Sequence, residues 1–265
     1  PGILRGVYNP HSSVAISPDG KEIYWTDSYF AYSSKIWFMK LENNRWTEPK
    51  IAPFSKNYHH EGPFFSPDGR RLYFCSNRPI EENGDPKKDL DIWYVEREKK
   101  GWGEPKNIGF PVNTDNTEEW VSVSESGNLY FIIFFFDNEN AGVDIYLSKL
   151  INGQYTKPEK LEEINSEYYD GSLYIAPDES YIIYWSGRPD GYSRDSDLYI
   201  NFRKKDGSWT HAVNMRKTIN LSGTVSPGMS PDKKYFFFRY RTNGIDDFYW
   251  VDASVIKELK KKVLK

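Results

Sequence analysis

Five short segments place side chains fit for acid–base or metal chemistry at one point of a recurring pattern. Each pair lies six and five residues ahead of the Ser or Ala that opens a tight turn: His11-Ser12, His60-Glu61, Glu118-Glu119, Asp170-Gly171 and Thr224-Val225. Four of the five first positions are histidine or carboxylate, and His59 adds another imidazole in a chain that has 4 histidines. If these positions converge, His11, His60 and Glu118 are the candidate ligands for a divalent metal. No His-x-x-x-His or cysteine-based signature marks a metal independently. Glu61, Glu119 and Asp170 are the candidate catalytic residues, because two carboxylates several ångströms apart can act as acid and base, or acid and nucleophile, on a glycoside. A carboxylate here can also simply accept hydrogen bonds from neighbouring backbone, and these three roles stay open.

Two further groups belong to the same candidate surface. Arg78 and Arg188 occupy equivalent positions, each in a Ser-x-Arg-Pro element, and Arg239 and Arg241 fall near that position later in the chain. They could clamp an anion such as a carboxylated sugar. They could also pair internally with the Asp that opens the following strand, Arg78 with Asp91 and Arg188 with Asp197, and this second reading is preferred. Tyr58, Trp120, Tyr168, Tyr169 and Tyr192 gather near the same face and offer rings on which a sugar could stack. The candidate ligand-binding set is therefore His11, His60, Glu61, Glu118, Glu119, Asp170, Arg78, Arg188 and Tyr169.

An internal repeat supplies the elements that must position these residues. Ser17-Pro18-Asp19-Gly20 recurs as Ser66-Pro67-Asp68-Gly69, and in weaker form at Ser124–Gly127, Ala176–Glu179 and Ser230–Lys233, with spacings of 49, 58, 52 and 54 residues. In each copy an apolar run precedes the turn. Pro presets φ in the turn and Gly accepts positive φ. A second strand rich in aromatics follows, then a third opening near an Asp, then a fourth centred on Trp46, Trp102, Tyr155 or Trp209. Pro49, Pro105 and Pro158 suit an exposed edge strand. Four antiparallel strands at this period predict an all-β fold, a five-bladed β-propeller. The repeats run over 11–59, 60–117, 118–169, 170–223 and 224–252. The last copy lacks a fourth strand. The segment 2–6 is expected to supply it and close the ring, and 253–262 is expected to form a short amphipathic helix.

The run Ser66-Pro67-Asp68-Gly69, Leu72-Tyr73-Phe74, Ser76-Asn77-Arg78-Pro79, Asp91-Ile92-Trp93-Tyr94 resembles the WD40-like propeller repeat of TolB-type proteins, the PD40 repeat. So does Trp102-Gly103-Glu104-Pro105-Lys106-Asn107-Ile108-Gly109 with Val112-Asn113-Thr114 and Glu118 after it, and the stretch from Tyr249 to Leu259 resembles the end of small stand-alone bacterial members. The resemblance covers essentially the whole chain. It implies the fold closely and the function loosely, because this repeat serves binding modules and enzyme-associated propellers alike. Copy one lacks the Ser-x-Arg-Pro element and copy three carries Ile133-Phe134-Phe135-Phe136 there.

Composition narrows the rest. Aromatics make up 17% of 265 residues and net charge is −3, without the clustered basic face of a nucleic-acid protein. The single cysteine, Cys75, excludes an intrachain disulfide, and no run of 18 apolar residues offers a membrane span. Pro1-Gly2-Ile3-Leu4 does not read as a natural start, so a preceding signal peptide and a periplasmic or secreted location are expected. The expected function is non-catalytic: a monomeric binding propeller engaging a peptide, protein or glycan at the channel-mouth face. The alternative is a carbohydrate-active enzyme, a glycoside hydrolase or lyase, using the same ring. No cofactor is expected, a divalent metal at the channel mouth being the one candidate.

Overall fold

A computed structural model describes residues 12–27, 34–81, 83–136, 141–192, 196–217, 219–220, 223–242 and 245–264. The side chains of 241, 242 and 245 are outside that description, as are His11 and the expected closing strand 2–6. The chain forms five successive antiparallel sheets. Blade one comprises Ala15–Ile16, Glu22–Asp27, Lys35–Glu42 and Lys50–Ile51, and blade two His60–Phe65, Arg71–Ser76, Asp91–Glu98 and Lys106–Asn107. Blade three comprises Thr117–Val123, Leu129–Phe135, Gly142–Ser148 and Glu159–Lys160, and blade four Asp170–Ile175, Tyr181–Ser186, Asp197–Phe202 and Val213–Asn214. Blade five has three described strands, Val225–Met229, Tyr235–Thr242 and Ile245–Asp252. The first strands of successive blades lie against one another and so form the innermost layer. Ser13 Oγ donates to the Pro227 carbonyl at 3.1 Å, which brings blade one against blade five.

The fourth strand differs from its expected form. The aromatic sits in a short extension of strand three, where Trp46 pairs with Leu41 and Trp102 with Arg97. The chain then resumes pairing past the proline, Lys50 with Phe38 and Asn107 with Trp93. Proline has no N–H to give the ladder, so the outer strand is split there.

The recurring turn has a common chemistry. Ser17 and Ser66 donate through Oγ to Asp19 and Asp68 at 2.6 Å, and Ser230 does so to Asp232 at 2.7 Å. Gly20 and Gly69 take φ of +71° and +69°. In blade four the Gly position is Glu179, held at φ +56°. Its carboxylate reaches into blade three and accepts from Ser126 Oγ and Asn128 Nδ2 at 2.8 Å and from Tyr130 Oη at 2.9 Å, while Arg203 of its own blade approaches at 3.2 Å. The departure from the turn pattern is thus a staple between blades. Glu179→Gly relieves a left-handed non-glycine residue but removes four partners. We expect a net loss of about 1–2 kcal/mol, read by urea denaturation. Blade one and blade two are joined at the equivalent place by Arg97 on Glu22, at 3.1 and 2.8 Å, and by Trp102 Nε1 donating to Tyr24 Oη at 2.8 Å.

Apolar clusters fill the spaces between successive blades from one to five. One example joins Phe54, Phe65, Leu72, Phe74 and Trp93 to Tyr24 and Ile36. The helix Ser254–Val263 buries Ile256 and Leu259 against Ile183, Leu198 and Phe236, and so covers the side of the last blade. Lys260, Lys261 and Lys262 occupy its last turn, where cations oppose the helix dipole. Among the described residues no helix is long and apolar enough to cross a membrane.

Candidate functional site

Alternation along the inner strands separates the two aligned positions. The first-position residues His60, Glu118, Asp170 and Thr224 are fully buried, and three of them pair with Ser76, Ile133 and Ser186 on the second strands. The second-position residues Glu61, Glu119, Gly171 and Val225 pair with Cys75, Ile132, Trp185 and Arg239. A bulge follows at once in all four blades, with Gly62, Trp120, Ser172 and Ser226 at φ between +42° and +58°. Position one therefore turns into the blade and position two toward the axis, where Glu119 keeps partial contact with solvent.

Two first-position carboxylates are committed to their own entry loops. Glu118 accepts from Thr114 N at 3.1 Å and Thr114 Oγ1 at 2.5 Å, and burial pushes it up to about 7. Asp170 accepts from Ser166 N and Oγ, both at 2.6 Å, and burial raises it as well. His60 is packed edge-on to Tyr58 and Phe74, with ring centroids 6.5 and 5.5 Å away. Neither of its ring nitrogens has a hydrogen-bond partner. Burial, then the charges of Arg78, Lys35 and His59, hold it well below the usual histidine range, so it is neutral.

Glu61 and Glu119 are different. His59 Nδ1 accepts from Ser34 N at 3.3 Å, which puts the ring proton on Nε2, 3.0 Å from Glu61 Oε1. Glu61 thus has a donor fixed on its carboxylate, and Ser34 Oγ stands 3.5 Å away. Glu119, on the next blade, is pushed up to about 8, first by burial and then by the charge of Glu61, against a hydrogen bond from the Trp120 indole. The two neighbouring carboxyls thus sit in unlike surroundings, Glu61 holding an imidazole N–H and Glu119 raised by burial. Cys75 lies beside them, its thiol raised well above its ordinary value by burial and then by Glu119, and so is unreactive.

The arginines do not make the pairs expected of them. Arg78 Nη2 donates to the Phe54 carbonyl at 2.8 Å and Arg188 Nη2 to the Ile164 carbonyl at 2.6 Å. Asp91 is held by Lys87 and by Asn107 Nδ2 at 2.8 Å, and Asp197 by the Tyr192 amide and Asn214 Nδ2 at 2.7 Å. The Asp side chain serves its own blade's outer strand, which leaves the arginine to cap a loop carbonyl. In blade five Arg239 does pair with an Asp near the start of the third strand, Asp246, at 3.0 Å. Tyr169 is exposed, as are Tyr168 and Tyr192. Among the described residues no group of three His, Cys, Asp or Glu is placed to hold a metal ion. His60 and Glu118 are not part of such a group, and His11 lies outside the described residues.

One recurring residue was missed. Asn113 Oδ1 accepts from Ile92 N at 2.9 Å and its Nδ2 donates to Ile92 O at 3.0 Å. Asn165 clamps Ile145 and Asn220 clamps Leu198 in the same way. Ser55 gives blade one half of this clamp, accepting from Ile36 N at 2.8 Å. The signal was present as an Asn four or five residues before three inner strands.

No known family model matches the sequence, and no curated protein matches it either. Solved structures do match in fold. TolB from Acinetobacter baumannii is 16% identical with a TM-score of 0.55, over 93% of this chain and 53% of that one, so the chain spans about half the length of that protein. A structure described as putative TolB from Agrobacterium tumefaciens is 17% identical with a TM-score of 0.58, over 91% and 76%. One described as a glycoside hydrolase is 9% identical with a TM-score of 0.60, over 93% and 88%. At these identities the likeness is one of fold, and in fold this chain is a TolB-like five-bladed β-propeller.

Proposed function

We propose that this protein is a binding propeller for a glycan, held where the inner strands begin, with Glu61 and Glu119 as the polar anchor. The observation behind the reading is the pair itself, two carboxyls on neighbouring inner strands, one of which holds the His59 Nε2 at 3.0 Å while the other is raised by burial and by the first. A sugar presents adjacent hydroxyls that each donate and accept, and paired carboxyls in unlike surroundings suit both. The matching positions on the next two blades are Gly171 and Val225, which bring no competing charge. Tyr168 and Tyr169, exposed on the loop entering blade four, offer stacking faces. The TolB-like fold supports a binding role, and the reading includes a periplasmic or secreted location.

A second reading has the same pair behind it. Cleavage of a glycoside needs an acid that keeps its proton beside a second carboxyl, burial raises Glu119 in that direction, and the fold is shared with a glycoside hydrolase. Glu119 would then protonate the leaving oxygen and Glu61 would activate water or attack.

A panel of neutral and acidic oligosaccharides, followed by thermal shift and by release of reducing ends, separates the two. Binding alone gives a raised melting temperature, a loss of affinity of about tenfold or more in Glu61→Gln, and no new reducing ends. Release by the parent protein that disappears in both Glu61→Gln and Glu119→Gln, with binding kept, assigns the enzyme instead. If no oligosaccharide shifts the melting temperature, the glycan reading is wrong.

A further inference from the structure

The repeats permit a comparison between blade two and blade four, residue for residue. His60 pairs with Ser76 and Asp170 with Ser186, and Arg78 and Arg188 follow those serines by two residues. Both arginines donate Nη2 to a loop carbonyl, and both lie between two rings. For Arg78 these are Tyr58 and Trp93, 5.4 and 5.3 Å away, and for Arg188 they are Tyr184 and Tyr199, 5.7 and 5.3 Å away. The surroundings differ at one point. Arg188 has the carboxylate of Asp170 at 3.7 Å. Blade two has His60 in that place, and among the described residues no carboxylate lies within 4.0 Å of Arg78.

Arg78 therefore lacks the close carboxylate that Arg188 has, and Glu104 of its own repeat acts on it only from farther off. Arg78 Nε is buried without an acceptor, and so is Nε1 of Trp93, a residue only 4% exposed. Lys35, whose Nζ donates to the Tyr58 carbonyl at 2.6 Å, adds a second cation close by. These groups border an open cleft of about 530 Å³, walled by Phe54, Tyr58, Trp93 and prolines, with Lys56 on its rim and Glu104 as its one lining carboxylate. Tyr58, which walls this cleft, packs on His60, the residue between His59 and Glu61.

We propose that the cleft beside Arg78 is a carboxylate subsite for the same ligand as the Glu61–Glu119 anchor, so that the ligand is a uronic-acid oligosaccharide. This rests on the glycan reading above and narrows it. The guanidinium takes the place in the ligand's carboxylate that Arg188 finds in Asp170, and the flat walls fit a ring-shaped body better than an extended side chain.

Titration calorimetry with trigalacturonate and with its fully methyl-esterified form tests the proposal. The acid is expected to bind at least about tenfold more tightly than the ester. Arg78→Gln should remove that preference. His60→Asp, which supplies the carboxylate that blade four has, should do the same while thermal melting shows an intact fold. Glu119→Gln should weaken both ligands alike. Equal affinity for acid and ester, or a preference that survives both Arg78→Gln and His60→Asp, overturns the carboxylate subsite and leaves the glycan reading standing. Binding that depends on Arg78 but is untouched by Glu119→Gln and Glu61→Gln keeps the subsite and overturns the anchor. Binding of a short Asp-rich peptide through Arg78, with none of trigalacturonate, overturns the sugar assignment.

Discussion

Replacing Asn220 by alanine is expected to lower the unfolding free energy by about 2–3 kcal/mol, the upper part of the range for one buried group left without its partner. The outermost strand of blade four is short. Val213 and Asn214 pair with Ile200 and Tyr199, and beyond them Met215 N still donates to the Leu198 carbonyl at 2.9 Å. The Leu198 amide, deep in the core, is satisfied by Asn220 Oδ1 at 2.8 Å, while Asn220 Nδ2 adds a second donor to the Leu198 carbonyl at 3.1 Å and reaches Asn214 Oδ1 at 2.9 Å. Alanine leaves the Leu198 N–H buried and unpaired, which is where the cost lies. Asn165→Ala should cost less, because Asn165 is only partly buried and water can reach the vacated groups. Urea denaturation with an unchanged slope checks both. A loss under about 1 kcal/mol for Asn220→Ala would show that the clamp is incidental.

The second large effect is on the pH dependence of stability. Burial raises Asp27 to about 6, Glu118 to about 7 and Glu119 to about 8. A carboxyl whose folded pKa lies above its unfolded value binds its proton more tightly in the folded state. Its contribution is complete below the unfolded value and is lost as pH rises through the folded one. The turn aspartates Asp19, Asp68, Asp178 and Asp232 are lowered and act in reverse, losing their contribution as pH falls below the ordinary carboxylate range. Stability should therefore peak in mildly acid solution and decline from about pH 5 to pH 8. Glu119→Gln should flatten that decline, matching the parent near pH 5 and exceeding it by about 1–3 kcal/mol near pH 9. Chemical denaturation at four pH values measures it. Parallel curves for the two proteins would mean that Glu119 ionises freely in the fold.

Much of the fold was legible because each repeat states its turn and its aromatic strands openly, in residue types that few other contexts tolerate. The site was legible only in part. Glu61 and Glu119 were in the candidate ring together with Glu118 and Asp170, although the two pairs do opposite things. Side chains alternate along a strand, so a shift of one residue exchanges the blade interior for the axis. A count from the turn does not reveal which is which, because a bulge lies between. Arg78 and Arg188 look identical in sequence, and the difference between them sits eighteen residues upstream, at His60 and Asp170. Glu179 looked like a decayed turn until its carboxylate was seen crossing to the neighbouring blade.

The staples between blades have a mechanical consequence. Arg97 locks blade two to blade one, and Arg203 with Glu179 locks blade four to blade three. The residue of blade three that matches Arg97 and Arg203 is Leu150, and the residue of blade two that matches Glu22 is Arg71, which is taken up by Glu96 within its own blade at 2.9 Å. Blades two and three consequently meet there across an open groove of about 920 Å³. The link between these two blades is of another kind: Tyr155 meets Tyr73 where Trp102 meets Tyr24, and an apolar cluster lies beneath. Glu61 and Glu119 belong to these two blades, so the width of their grip is set by packed rings rather than by an ion pair, and salt that would loosen the charged staples should leave it unchanged.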